Sequence, residues 1–303
     1  MRTFIRPVAV ALAVLFVSAA CGGTGGTTAP SAAAPSAAAS AASTQPKFEL
    51  STYMYAIQTK GKLRVGTRED NVPFGLKNPQ SGKFEGFDID IARELAKGIF
   101  GPVANIDEKI EWVPVVSATR IPTLQDNKAD LVIATFTINA DRKKQIDFSD
   151  VYFSTGQKIL VKKTNTSIKG PADMNGKTIC AATGSTSIDN IKTAAPQAKT
   201  LALDSYPPCL LALQQGTADA VSTDETILFG LVKQDPSTNI VGPYFSEEPY
   251  GIGVKKSTGD RTGFVDYINR QLVAMIQDGR WARAYETWVS PVSNDKKKSP
   301  DSR

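Results

Sequence analysis

Fourteen consecutive residues decide the fold of this chain: Gly86-Phe87-Asp88-Ile89-Asp90-Ile91-Ala92-Arg93-Glu94-Leu95-Ala96-Lys97-Gly98-Ile99. A short extended run ends at Asp88, and an Asp there can cap a helix because its carboxylate accepts hydrogen bonds from the first free N–H groups. Asp90 and Glu94 follow near the positive end of the helix dipole. Apolar residues recur on one helical face, at Ile91, Ala92, Leu95, Ala96 and Ile99. The segment therefore predicts a junction from strand to core helix.

Apolar, β-branched runs alternate with helical patterns along the rest of the chain. We predict strands at residues 63–67, 110–115, 130–136, 158–161, 178–182, 218–222 and 250–254. Helical patterns cover residues 117–125, 185–193, 209–215, 226–232 and 261–278. This alternation indicates an α/β fold with largely parallel sheets.

Residues 1–20 are typical of a signal peptide. Arg2 and Arg6 are positive, and residues 8–17 form an apolar stretch that is too short to span a bilayer. Ser18-Ala19-Ala20-Cys21 resembles the lipidation site of bacterial lipoproteins, in which the Cys carries the acyl chains. Ser18 stands where that pattern prefers Leu, so a plain secretory signal with a chance Cys is the alternative. Residues 21–47 consist mostly of Gly, Ala, Ser, Thr and Pro and predict a flexible tether.

The composition lowers the expectation of catalysis, metal binding and nucleic-acid binding. The formal charge of +5 falls to +3 without the signal peptide, which carries two arginines and no acids. Basic stripes with interleaved aromatics, which nucleic-acid binding favours, are not found. The chain has no His, the commonest general base and metal ligand. We therefore expect no cofactor, no metal ion and no nucleic-acid partner, and about 245 residues remain for two α/β lobes.

Three cysteines fit an oxidising compartment. With Cys21 assigned to lipid, we predict that Cys180 and Cys209 form a disulfide. On the chain-entropy model, a loop of about thirty residues would stabilise the fold by roughly 3–4 kcal/mol. Two buried free thiols are the alternative.

The opening segment also resembles a pattern of the bacterial solute-binding proteins of the amino-acid class, family 3. Arg142-Lys143-Lys144-Gln145-Ile146-Asp147-Phe148-Ser149 is similar to a second segment of that family, and the resemblance extends over residues 63–289. It implies a periplasmic-binding-protein type II fold, or Venus flytrap, with two α/β lobes joined by a two-segment hinge near residues 152–159 and 247–252. Lobe 1 would comprise residues 48–157 and 250–290, lobe 2 residues 158–249, and residues 291–303 would form a disordered tail.

The resemblance implies how the α-groups of an amino acid are bound. Arg142 matches the Arg that binds the α-carboxylate through its planar guanidinium, and Thr137 matches a hydroxyl that assists it. Asp224 matches the acid that pairs with the α-ammonium, and Thr135 a second partner of that group. Thr186 matches a backbone N–H donor at a helix N-terminus, and Thr183 lies beside it. Surface ion pairs and plain helix caps are the alternative interpretations of these residues.

The resemblance also implies an acidic ligand. Arg68 and, in a second segment, Ser117 and Arg120 match positions that contact the distal carboxylate in members that bind acidic amino acids. A dicarboxylate brings one net negative charge, and burying that charge unpaired would be unfavourable. Where those members carry a His, this chain has Tyr206, which keeps the amides glutamine and asparagine open as ligands.

The function implied by the resemblance is that of a receptor. The protein would be a monomeric, non-enzymatic lipoprotein on the outer face of the cell membrane, anchored through Cys21. It would close on glutamate or aspartate and deliver it to the permease of an ABC importer. A receptor for other polar amino acids, a sensor of amino-acid availability, a dehydratase or lyase on the same fold, and a structural lipoprotein are the alternatives.

Overall fold

The computed structural model describes residues 45–257, 261, 263–293, 296–297 and 299–300. The predicted signal peptide, Cys21 and residues 21–44 of the predicted tether lie outside the described residues. No helix within the described ranges combines the length and the apolar character needed to cross a membrane.

The described residues contain alternating helices and strands. The α-helices are α1 (Tyr53–Lys60), α2 (Phe87–Phe100), α3 (Arg120–Gln125), α4 (Ala140–Gln145), α5 (Thr186–Ala194), α6 (Tyr206–Gln215), α7 (Glu225–Gln234), α8 (Phe264–Gln277), α9 (Arg280–Trp288) and α10 (Ser290–Ser293). The strands are β1 (Leu63–Thr67), β2 (Asp70–Asn71), β3 (Gly75–Lys77), β4 (Phe84–Glu85), β5 (Ile110–Pro114), β6 (Leu131–Val132), β7 (Ile146–Phe148), β8 (Phe153–Thr155), β9 (Gln157–Lys162), β10 (Thr178–Ala182), β11 (Lys199–Leu203), β12 (Ala220–Asp224), β13 (Thr238–Val241), β14 (Glu248–Tyr250) and β15 (Gly253–Lys255). Short 3-10 helices cover Ile106–Lys109 and Pro171–Met174.

The strands form two five-stranded sheets. The first has the order β5-β1-β6-β15-β7, and the second has the order β11-β10-β12-β9-β13. In each sheet four strands run in the same direction, and one strand, β15 in the first sheet and β9 in the second, runs antiparallel to them. We call the first sheet with its packed elements the first lobe, and the second sheet with its packed elements the second lobe.

Each lobe buries its own apolar core. In the first lobe, α1, α2, α8 and α9 pack against the sheet through a cluster rich in aromatic side chains. In the second lobe, α6 and α7 cover one face and α5 covers the other. Consecutive residues Ile159 and Leu160 of β9 belong to opposite clusters, as expected for a strand buried on both faces. Cys180 on β10 and Cys209 on α6 are joined by a disulfide, which is the pairing that the sequence predicts.

Helix α2 forms where the opening segment predicts it, but it begins differently. Gly86 has φ +134°, and a Cβ there would lie 2.2 Å from the Phe74 carbonyl oxygen, so only glycine fits this close approach. The helix starts at Phe87, which places Asp88 inside its first turn. The prediction that Asp88 caps the helix is therefore wrong. Its buried carboxylate accepts hydrogen bonds from the Thr135 N–H (2.9 Å) and the Tyr152 hydroxyl (2.8 Å).

The predicted strand at residues 130–136 is shorter than expected. Pairing ends after Leu131–Val132, and the backbone then turns, because Thr135 has φ +44° and donates its N–H to Asp88. The helix predicted at residues 117–125 begins at Arg120, after a turn in which Thr119 donates its N–H to the Val116 carbonyl (3.0 Å). The other element boundaries differ from the predictions by a few residues, as is usual at frayed ends.

Two strands cross between the lobes. β8 and β14 pair antiparallel, with Thr155 opposite Glu248 and Phe153 opposite Tyr250, and they fall within the predicted crossings at residues 152–159 and 247–252. The predicted disordered tail is wrong for residues 291–293. They continue a helical turn in α10, which is anchored by the buried Val289.

Candidate functional site

Polar side chains from both lobes meet between the lobes. Arg68 follows β1, Asp224 ends β12, and Thr186 begins α5 after β10. Ligand sites of open α/β sheets commonly lie beyond the carboxyl ends of such strands. Eight of the nine predicted binding residues are buried or half-buried here: Arg68, Ser117, Arg120, Thr135, Thr137, Arg142, Thr186 and Asp224. Thr183 is exposed, and its N–H donates to the Leu203 carbonyl (2.7 Å).

Arg142 connects the two lobes. It lies in α4, which is capped by the Asn139 side chain through the Arg142 N–H (2.9 Å). One terminal nitrogen of its guanidinium donates to the Thr137 carbonyl (2.6 Å), and the other to the Gly184 carbonyl of the second lobe (3.2 Å). Burial lowers the pKa of Arg142, and it remains cationic because arginine starts from so high a value. The site therefore holds a fixed positive charge between the lobes.

Asp224 presents a buried carboxylate oxygen that lacks a partner. Its Oδ2 accepts a hydrogen bond from the Tyr250 hydroxyl (2.6 Å), whereas its Oδ1 has no hydrogen-bond partner among the described residues. Burial raises the pKa of Asp224 to about 7, and the nearby Glu248 carboxylate adds to the increase. Such an oxygen is matched to a positively charged N–H donor, because leaving a buried acceptor unpaired is unfavourable.

Glu248 is a central residue of the site that the sequence did not predict. It is buried in the crossing strand β14 and accepts four hydrogen bonds. Oε2 accepts from the hydroxyls of Thr137 (2.6 Å) and Thr186 (2.8 Å), and Oε1 accepts from Asn190 (2.7 Å) and Ser246 (2.7 Å). The available signal was its period-two spacing from the buried aromatic Tyr250, which places both side chains on one strand face.

Arg68 already has an acidic partner. Its guanidinium forms an ion pair with Asp70, with nitrogen–oxygen distances of 2.8 and 3.0 Å, and it donates weakly to the Ser117 hydroxyl (3.5 Å). It also lies 5.5 Å from the ring centroid of Tyr206 in the second lobe. Sequence reasoning identified Arg68 and Tyr206 but not Asp70, the residue that neutralises this arginine.

Arg120 is held by backbone carbonyls. Its guanidinium donates to the carbonyls of Ser117, Ala134 and Thr135 at 3.1–3.2 Å and lies 4.2 Å from the Phe136 ring centroid. Burial and then the charges of the two other arginines place the pKa of Arg120 well below its usual range. Arg120 therefore fixes the turn at Thr135 in addition to placing a positive charge near the site.

A small cavity lies next to Arg68, and polar groups of the same chain segment are buried without partners. Both amide atoms of Asn71 and the Thr67 hydroxyl are buried and lack hydrogen-bond partners among the described residues. Asn71 lines this cavity together with Arg68 and Tyr206. The cavity is too small to hold a water molecule in this arrangement of the lobes.

The two lobes touch closely around the site. A Cβ on Gly230 in α7 would lie 2.0 Å from the Val72 carbonyl oxygen of the first lobe. A Cβ on Gly184 would lie 2.7 Å from the Ala118 Cα. Glycine inside a helix is unfavourable on its own, so Gly230 is explained by this approach of the opposite lobe. The described arrangement is a closed one.

The chain matches a known family over most of its described length. The model of the bacterial extracellular solute-binding proteins, family 3, matches residues 63–291. The chain is 42% identical over 235 residues to the ABC transporter glutamine-binding protein GlnH of Bacillus subtilis, covering 77% of this chain and 83% of that protein. It is 34% identical over 238 residues to the glutamate-binding protein GluB of Corynebacterium glutamicum, covering 76% and 79%.

Solved structures resemble the same region. An ancestral arginine-binding protein bound to glutamine is 42% identical, with a TM-score of 0.68 over 76% of this chain and 98% of that one. An ancestral amino-acid-binding protein that is a precursor of cyclohexadienyl dehydratase is 33% identical, with a TM-score of 0.70 over 78% and 99%.

Proposed function

The chain belongs to family 3 of the bacterial extracellular solute-binding proteins, and on that basis we propose that it captures a free amino acid between its lobes and delivers it to an ABC permease. The relatives described above are named as binding proteins, which supports a receptor rather than an enzyme. The tether composition and the Cys21 motif support a location outside the cytoplasm with a lipid anchor.

The observation that carries the proposal is the unpartnered Oδ1 of Asp224. An α-ammonium group supplies the charged N–H that this oxygen lacks. Arg142, whose charge lies between the lobes, provides the complementary partner for an α-carboxylate. Opposite charges on the two lobes match the zwitterion that all amino acids share.

Closure follows from the same arrangement. The ligand first binds the first lobe through Arg142, and the second lobe then brings Asp224 to it by rotation about the paired crossing strands β8 and β14. The ligand favours the closed state because it contacts both lobes only there. A micromolar dissociation constant, suited to scavenging, corresponds to about 8 kcal/mol.

The charge balance favours a ligand with a neutral side chain. In and around the site three arginines face four carboxyl groups, two of which have a pKa raised to about 7: Arg68, Arg120 and Arg142 against Asp70, Asp88, Asp224 and Glu248. A zwitterion with an amide side chain leaves this balance unchanged, whereas a dicarboxylate adds an uncompensated buried charge. Glutamine is therefore the first candidate, in agreement with the relative that binds it.

Glutamate is the second candidate. Of the described residues, none with an acidic side chain forms an ion pair with Arg120, whose guanidinium donates to carbonyls. A distal carboxylate could pair with this charge, as the sequence led us to expect, and the relative that binds glutamate supports it. The acidic preference loses weight because Arg68 is neutralised by Asp70.

Calorimetric titration of the chain without residues 1–20, with Cys21→Ser, tests the proposal. Glutamine, glutamate, aspartate, asparagine and arginine are titrated separately, and the bound ligand is recovered and analysed. Micromolar binding of glutamine, with the ligand recovered unchanged, supports the proposal. Tighter binding of glutamate restores the acidic assignment, conversion of the ligand indicates an enzyme, and no binding of any amino acid contradicts the receptor function.

A further inference from the structure

Glu248 receives hydrogen bonds from both lobes and from the crossing between them. Thr137 belongs to the first lobe, Thr186 and Asn190 belong to α5 of the second, and Ser246 lies just before β14. The two threonine hydroxyls converge on the same oxygen, Oε2, at 2.6 and 2.8 Å. A carboxylate at this position therefore links the polar groups that flank the site.

The direction of these hydrogen bonds is fixed by chemistry. A carboxylate can only accept, whereas a hydroxyl has one proton to donate and two lone pairs. The hydroxyls of Thr137 and Thr186 must therefore donate their single protons to Glu248. Each hydroxyl then presents lone pairs to any ligand beside it.

We infer that Glu248 is a positioning residue that fixes the Thr137 and Thr186 hydroxyls as hydrogen-bond acceptors for the ligand. This inference rests on the proposed function. It assigns the Thr137 hydroxyl to the α-ammonium, together with Asp224 Oδ1, rather than to the α-carboxylate that the family resemblance implies. The cationic end of the ligand then meets acceptors from both lobes.

The backbone geometry around Thr137 agrees with an assignment of its hydroxyl to the α-ammonium and of Arg142 to the α-carboxylate. The Thr137 carbonyl accepts from the Arg142 guanidinium (2.6 Å), so Arg142 approaches the backbone of the residue whose side chain faces Glu248. Thr137 also bridges the crossing strand at Tyr250, whose hydroxyl donates to Asp224. Thr137 is therefore linked to Glu248 directly through its hydroxyl and to Asp224 indirectly through Tyr250.

The test is a double-mutant cycle with Glu248→Gln and Thr137→Val, measured as glutamine and glutamate dissociation constants. Glu248→Gln keeps the shape but adds an N–H donor, and a threonine hydroxyl that accepts from this N–H turns its own proton toward the ligand. We expect it to weaken binding about tenfold to a hundredfold. In the Thr137→Val background the same change should weaken binding at least threefold less, because the residues act through one contact.

Glu247→Gln, the same change at an exposed neighbouring position, is the matched control and should leave binding within twofold. A second variant, Glu248→Asp, keeps an acceptor-only group and should bind better than Glu248→Gln. Thermal unfolding of each variant identifies the temperature range in which it is folded. Unchanged binding by Glu248→Gln, additive effects in the cycle, or weaker binding by Glu248→Asp than by Glu248→Gln overturns the inference. If the unmodified chain binds no amino acid, the proposed function fails and the inference fails with it. If that chain binds and Glu248→Gln binds equally well, the inference alone fails.

Discussion

The two ends of the site differ in how far their charges are already paired. Around Asp224, a buried carboxylate oxygen has no partner among the described residues. Around Arg68, the charge is paired with Asp70 at 2.8 Å, although Arg68 Nη2 has no hydrogen-bond partner among the described residues, and Arg120 is held by three carbonyls. The first end therefore gains most from a charged ligand group, whereas the second can select a ligand by hydrogen bonding at little net charge.

Asp224→Asn is the strongest test of the difference between the two ends of the site. We expect it to weaken amino-acid binding by about 2–5 kcal/mol, because the ligand's ammonium loses its buried carboxylate partner. The ligand-free protein should unfold at the same or a higher temperature, since a poorly solvated acid is removed. Calorimetry and thermal unfolding measure the two effects separately.

Asp189→Asn is the matched control, because Asp189 is an exposed acid on α5 of the same lobe. It should bind as the unmodified chain does. Equal affinity of Asp224→Asn and the unmodified chain would mean that the ammonium does not meet Asp224.

The same residue predicts a pH dependence. Its pKa is raised to about 7 by burial, and binding an ammonium requires the ionised form. We therefore expect affinity to fall about tenfold between pH 8 and pH 6. Calorimetric titrations at both pH values, repeated with Asp224→Asn, measure how much of the pH dependence of the affinity this residue contributes. A profile that is flat, or that is unchanged in Asp224→Asn, contradicts the assignment.

The stability of the ligand-free protein should fall as the pH rises, whereas the affinity for the ligand should increase. A carboxyl whose pKa is higher when folded than when unfolded binds more protons in the folded state. Its contribution to the free energy of unfolding therefore falls as the pH rises from about 4 to about 7. Asp88 adds a change of the same sign, because burial also raises its pKa to about 7. Asp224→Asn should therefore reduce this slope without removing it.

Features that lie within one stretch of chain could be predicted from the sequence, whereas contacts between distant residues could not. Helix α2 and the alternation of strands and helices follow from local periodicity, which one stretch of chain contains in full. Arg142 and Asp224 lie within local motifs, so the resemblance could place them among the candidate binding residues. By comparison, the bond from Thr137 to Glu248 joins residues 111 positions apart, and no local pattern pairs them.

Long-range contacts account for the wrong predictions as well. The residues around Asp88 predict that it caps the helix. Its carboxylate instead accepts a hydrogen bond from the Thr135 N–H, 47 positions away. That bond accompanies the positive φ of Thr135 and ends the predicted strand early. Local sequence therefore defined the elements well and the pairing of buried polar groups poorly.

The smallest expected effect tests the second end of the site. Asp70→Asn should free the charge of Arg68 and shift the ratio of glutamate to glutamine affinity about fivefold toward glutamate. The shift is modest because Asp70 is partly exposed and its ion pair is screened by solvent. Asp126→Asn, which removes an exposed acid paired with Lys128 in the same lobe, is the control and should leave the ratio unchanged. If Asp70→Asn also leaves the ratio unchanged, Arg68 does not face the ligand side chain.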